Sequence, residues 1–183
     1  MASRDVVIRP ARPQDLPAMG RLGAALAAVH HAFDPERFFV VENMHEGYAW
    51  WLGKELANRR AVLLVAARGR RVVGYAYGRL EGRDWNALRE PCGHAIDLVV
   101  EPDARGRGIG RKLAQALFDA LAALGAPRVV LETAARNRRA QALFGSLGFR
   151  PTMLEMTREA TSKASAAPIS NRPARRRNSR VAP

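Results

Sequence analysis

The chain predicts an α/β fold, a mixed central sheet with helices on both faces, and three observations predict it. Apolar runs of strand length alternate with segments whose apolar residues recur at helical spacing. Two of those runs, 61–67 and 72–80, sit back to back around Gly69, as a hairpin requires. A glycine-rich hexapeptide, Arg105-Gly106-Arg107-Gly108-Ile109-Gly110, joins the apolar run 95–100 to a helical pattern over 112–124. Strand, glycine turn and helix in succession belong to an α/β layer structure.

Taken in order, residues 6–8 read as a short strand. Pro10, Pro13 and Asp15 set up a helix start, and Leu16, Met19, Leu22, Leu26 and Val29 continue it at helical spacing. Residues 30–39 break the period and contain Pro35, which reads as a loop or irregular helix. A second short helix covers 48–58, with Trp51, Leu52, Glu55 and Leu56. The hairpin follows, then a polar connection over 82–93. Residues 94–100 end in a continuously apolar run, the pattern of a central strand. The next helix buries Leu113, Leu117, Leu121 and Leu124, and Gly125-Ala126-Pro127 stops it. Residues 128–133 form a strand. Residues 137–147 form a helix with Ala140, Leu143, Phe144 and Leu147 inward, ended by Gly148, and 149–157 form the last strand. The expected order is β-α-α-β-β-β-α-β-α-β, with parallel crossovers flanking the glycine loop.

At 183 residues the chain suffices for one well-buried core. We expect one domain over 1–157 and a basic, disordered tail over 158–183, where Ser, Ala, Pro, Asn and Arg replace any apolar period. The single cysteine, Cys92, excludes an internal disulfide and suits a reducing compartment. No apolar stretch approaches membrane-spanning length, and the first nine residues lack the apolar core of a signal peptide, so the expected location is cytoplasmic. Four scattered histidines and one cysteine give no metal-ligand spacing, so no metal is expected. The net charge is +13, of which the tail carries +6 and the rest +7. Such a body attracts anions, a polyphosphate cofactor or nucleic acid among them.

The glycine loop is where such an anion would sit. Backbone N–H groups at a helix start are unpaired, and the helix dipole favours negative charge there. A Walker loop would need Gly-Lys-Ser/Thr, which is absent, and a dinucleotide fingerprint would come early in the chain with an acid about 20 residues on.

Residues 99–110, Val-Val-Glu-Pro-Asp-Ala-Arg-Gly-Arg-Gly-Ile-Gly, resemble the acetyl-CoA-binding motif of the GCN5-related N-acetyltransferases. A second match follows, with Asn137, Ala140, Leu143 and Gly148-Phe149 similar to the family's segment after its fifth strand. The resemblance covers residues 4–157. It implies a GNAT-like acyl-CoA N-acyltransferase fold, acetyl-CoA as cosubstrate, and direct attack by an amine of a small molecule or peptide. It implies that the N–H groups of Arg105, Gly106, Arg107, Gly108, Ile109 and Gly110 hold the pyrophosphate, with added charge from Arg105 and Arg107. Arg111 or Lys112 would reach the 3′-phosphate. The pantetheine arm would pair with backbone at Leu98, Val99 and Val100, against Asn137 and Phe144.

Three residues are candidates for the proton acceptor. His94 lies at the offset where histone-acetylating members carry a glutamate, and its ordinary pKa suits the task. Asp97 is an acid inside an apolar strand, and Glu132 on the next strand is the same kind of case. Strict alternation puts His94, Ile96 and Leu98 on one face and Asp97 on the other. Many family members place a tyrosine seven residues after the asparagine to protonate the leaving thiolate. Here that position is Phe144, which has no proton to give, leaving Ser146, Tyr75 and Tyr77 as alternatives. The acceptor pocket is expected from His30, His31, Phe33, Asp34, Phe38, Phe39, Trp50 and Trp51, with acids Asp34, Glu36 and Glu42 suited to a cationic amine. Alternative readings are a non-catalytic acyl-CoA-binding protein and a nucleic-acid-associated protein using Arg172, Arg175, Arg176, Arg177 and Arg180. No membrane partner is expected, and a homodimer is left open.

Overall fold

The computed structural model describes residues 5–159. Five strands form one sheet in the order β1-β2-β3-β4-β5, with β1 at Val6–Pro10, β2 at Ala61–Arg68, β3 at Arg71–Glu81, β4 at Cys92–Val100 and β5 at Val129–Leu131. The first three pairings are antiparallel and β4–β5 is parallel. The helices are α1 (Leu16–Phe33), α2 (Met44–Leu56), α3 (Ile109–Ala123) and α4 (Arg138–Gly145). Among the described residues there is one parallel crossover, β4 to β5 through α3, where the sequence suggested more than one.

The sheet separates two apolar layers, so the expected α/β architecture holds. On one face α1 and α2 bury Met19, Leu22 and Leu52 against Val65, Tyr75, Tyr77 and Val99. On the other, the α3 stripe Leu113, Leu117 and Leu121 packs on Leu64, Ala66, Val73 and Ala76. Each set follows from its period: residues three and four apart share a helix face, and alternate strand residues share a sheet face. Leu124, expected in the α3 stripe, is 42% exposed because the helix ends one residue earlier.

Several element ends shift by a few residues, α1 running on to Phe33 and β4 beginning at Cys92, and two differences are larger. The second helix begins at Met44, after Asn43 turns the chain with φ 58°. No strand forms over 149–157: the described residues there lack regular structure, and Met153, Leu154 and Met156 are exposed. Pro151 withholds a ladder donor at the start of that segment, and apolar residues alone do not supply a pairing partner. The chain divides into two units, Met1–Pro151 and Thr152–Pro183, six residues before the boundary drawn from composition. The Arg-rich segment expected to be disordered lies outside the described residues, apart from its first two positions.

No helix among the described residues is long and apolar enough to cross a membrane. No group of three or more His, Cys, Asp or Glu among them is placed to hold a metal ion.

Candidate active site

A cavity of about 450 Å³ opens where β4 and β5 part. Their pairing covers only Gly93↔Val129, His94↔Val130 and Ala95↔Leu131. β4 then runs on to Val100 while the chain of β5 turns away into α4. The gap is walled by the free edge of β4, by α3, by α4 and by the last turns of α1. Leu98, Val99 and Val100 all line it.

One end of the cavity is the start of α3. Gly106 and Gly108 line it with φ 78° and 76°. That left-handed backbone suits glycine, and a Cβ at either position would meet nothing within 4 Å, so conformation rather than crowding within the protein calls for it. The Lys112 N–H donates to the Gly108 carbonyl at 3.0 Å, closing the first α-helical bond. The N–H groups of Ile109, Gly110 and Arg111 precede that bond and have no carbonyl one turn back. Arg105 lines the cavity, but its Nε donates to the Val100 carbonyl at 2.8 Å. Arg111 lines it too and donates to Ser146 Oγ at 2.6 Å. Arg107 and Lys112 lie outside the lining. Asn137 Oδ1 caps α4 by accepting the Ala140 N–H at 3.1 Å, and Phe144 packs at 5.8 Å from the Phe149 ring. Both line the cavity. Arg139 of α4 and Phe118 of α3 line it as well and were not singled out from sequence, although the four-residue spacing places Arg139 and Leu143 on one face of α4.

The other end holds a buried carboxylate. Asp97 is 7% exposed and accepts the Tyr75 hydroxyl at 2.8 Å. Burial pushes its carboxyl up to about 6, against the Tyr75 hydrogen bond and the nearby His30. Burial also raises the Tyr75 hydroxyl well above the ordinary tyrosine range, and Tyr48 to about 12, with the Asp97 charge adding to both.

The expected alternation along β4 fails here. Register with β3 shifts between Tyr77 and Gly78, so that Tyr77 faces Asp97 and Gly78 faces Ala95, leaving Ile96 as the extra residue of a bulge. Ala95 and Leu98 pack into the α3 layer, while Ile96 and Val99 pack into the α1–α2 layer. Asp97 reaches Tyr75 in that same layer. His94, paired across from Arg79, therefore shares its face with Asp97 rather than opposing it.

His94 lies outside the cavity lining. Its Nδ1 donates to Glu81 Oε1 at 3.0 Å and its Nε2 to Glu132 Oε2. The Glu132 hydrogen bond first, then that to Glu81, raises the imidazole pKa against the effect of burial. Glu132 lines the cavity, and its bond to His94 keeps its carboxyl below the usual range. Arg89 completes the cluster, 2.5 Å from Glu81 and 3.8 Å from Glu132.

Of the expected acceptor residues, His30 alone lines the cavity, with Leu26 and Val29 from the same helix. Trp51 packs edge-on to Tyr77 at 5.0 Å, and exposed Trp50 lies under the Lys54 ammonium at 3.8 Å. His31 bonds the Phe38 carbonyl, Asp34 accepts the Glu36 and Arg37 N–H groups, and Phe39 is exposed. The Phe33 carbonyl accepts from Arg136 at 2.7 Å. Neither Glu36 nor Glu42 reaches the lining. The three alternative proton donors also lie outside it: Tyr75 donates to Asp97, Tyr77 to Glu55 at 2.8 Å, and Ser146 to the Leu143 carbonyl at 2.6 Å.

Residues 26–149, which carry β2 to β5 and the glycine loop, match the acetyltransferase (GNAT) family, and the chain belongs to that family. A mycothiol acetyltransferase of Beutenbergia cavernae is 44% identical over 59 residues, 32% of this chain and 20% of that protein. An L-amino acid N-acyltransferase of Escherichia coli is 32% identical over 102 residues, 55% of this chain and 56% of that protein. The chain spans a fifth to a third of the length of the mycothiol acetyltransferases it matches. Among solved structures, a tetramutant of the BH1408 protein of Bacillus halodurans superposes with TM-score 0.72 at 21% identity, covering 84% of this chain and 99% of that one. An aminoglycoside N-acetyltransferase, AAC(6′)-Iy, in complex with CoA superposes with TM-score 0.65 at 16% identity, covering 86% and 96%. At these identities the structural likeness speaks to the fold.

Proposed function

We propose that this chain transfers the acetyl group of acetyl-CoA to an amine of a small molecule or peptide by direct attack. One observation supports the reading best: a single cavity connects an N–H-rich glycine turn to a buried carboxylate, Asp97. The residues present fit coenzyme A. Positive-φ glycines face open space at the turn, and the edge of β4 beyond Ala95 is not paired with β5. When bound, acetyl-CoA supplies an acetyl thioester open to attack.

The chain's own residues divide the remaining work. The N–H groups of the turn over 105–110 hold the pyrophosphate. Backbone groups at Leu98 and Val100 receive the amide arm along the free edge of β4, with Asn137 and Phe144 forming the opposite wall. Asp97 takes the proton from the attacking amine. Its carboxyl, pushed up to about 6, is ionised at neutral pH yet more basic than an exposed aspartate. His94 fits this role poorly, because both ring nitrogens already donate to carboxylates. Glu132 stays charged and attracts a cationic amine to the cavity rather than accepting its proton. Phe144 offers no proton, so the thiolate leaves without help from that position.

A screen of diverse amines with acetyl-CoA, read by free-thiol release, tests the proposal. Acetylated product with at least one amine class supports it. Tight CoA binding with no turnover on any amine would instead favour a non-catalytic acyl-CoA-binding protein, the reading that Phe144 suggests.

A further inference from the structure

We propose that Arg139 recognises the 3′-phosphate of coenzyme A and makes the chain prefer CoA over its dephospho form. The inference rests on the acetyl-CoA reading above. Coenzyme A carries a pyrophosphate and, separately, a phosphate monoester on its ribose. The N–H groups at the start of α3 serve the first of these, which leaves the monoester in need of a cation. Three arginines line the cavity, Arg105, Arg111 and Arg139. Arg105 is held by the Val100 carbonyl and Arg111 by Ser146. Arg139 makes no hydrogen bond or ion pair among the described residues, so its planar five-donor fork is available to a phosphate.

Its position suits the task. Leu143 approaches to 3.8 Å of where a Cβ on Gly110 would lie, so this face of α4 abuts the start of α3. Arg139 lies about one helical turn before Leu143 on the same face, about 6 Å along the axis. Arg139 lines the same cavity as Gly106, Gly108 and Gly110 of the glycine turn. Acids near the turn do not neutralise it, because Glu101 and Asp103 are both engaged by Arg71, at 2.6 and 3.5 Å. Arg138 and Arg139 also occupy the first turn of α4, where the helix dipole disfavours cations, and a bound dianion offsets that cost.

Calorimetry on the full chain with CoA and 3′-dephospho-CoA, for wild type, Arg139→Gln and Arg139→Lys, tests the assignment. Wild type should bind CoA about tenfold more tightly than dephospho-CoA, the scale of one charge-assisted contact. Arg139→Gln should lose that preference, binding CoA about tenfold more weakly and dephospho-CoA within about twofold of wild type. Arg139→Lys should restore part of it. Equal weakening of both ligands, or of neither, would overturn the proposal while leaving the cosubstrate reading intact. Failure of wild type to bind CoA at all would overturn both.

Discussion

Asp97 sets function against stability. A carboxylate whose folded pKa lies above its unfolded value penalises the folded state wherever it is ionised. For Asp97 that penalty begins as pH rises above the unfolded value near 4 and is complete above its folded value of about 6. Asp97→Asn removes the charge and keeps a carbonyl that can accept the Tyr75 hydroxyl. The variant should therefore be more stable than wild type at pH 7.5, by about 1–3 kcal/mol in denaturant titration, with no gain at pH 4. Lower stability at pH 7.5 would mean that the Tyr75 contact outweighs the burial cost. His94 has the opposite linkage. Its folded pKa is raised by Glu132 and Glu81, so its contribution is fully present below the unfolded histidine value near 6.5 and is lost as pH rises through the folded value. His94→Gln should lower the melting temperature more at pH 5.5 than at pH 9. An equal loss at both pH values would reduce the cluster to packing.

At the level of elements, the site depends on two features of β4: the bulge at Ile96 and the early end of its pairing with β5. The residues alone showed neither, although the family resemblance implied a splay between these two strands. A bulge arises from register against a neighbour, here where a Cβ on Gly78 would meet the His94 carbonyl and Leu121, and the residues of β4 taken alone read as strict alternation. The glycine turn and the α3 stripe were legible, because backbone hand and helical spacing are local properties. Asn137 was singled out only through the family resemblance, and its role as the cap of α4 came from the structure. The acceptor wall was not: aromatic residues near α1 and α2 gave no sign that Trp51 would pack on Tyr77 or that His30 alone of its group would face the cavity. The turn itself can be tested with charge separated from conformation. Asn and Asp both tolerate the left-handed backbone of Gly108, so Gly108→Asn and Gly108→Asp should fold alike. CoA affinity should fall at least tenfold further in the Asp variant than in the Asn variant, as expected for an anion placed in an anion cradle. Equal affinities measured by calorimetry would put the phosphates elsewhere.

For the whole molecule, a five-stranded sheet between two helical layers places a cationic, N–H-rich mouth at one end of a cavity and acids at the other. That polarity fits a polyphosphate entering from one side and a cationic amine meeting carboxylates at the other. The fold class came through from the sequence because it rests on apolar periods that recur along it. The choice of proton acceptor did not, since it depends on burial and on which carboxylates surround His94. The most direct measurement is the pH–rate profile of thiol release from acetyl-CoA, with an amine found active in the screen, for wild type, Asp97→Asn and His94→Gln. Wild type should show an acidic limb near pH 6, retained in His94→Gln, and Asp97→Asn should lose about 10²-fold or more in turnover with the limb abolished. Wild-type turnover in Asp97→Asn, or loss of the limb in His94→Gln alone, would contradict the role of Asp97 as proton acceptor.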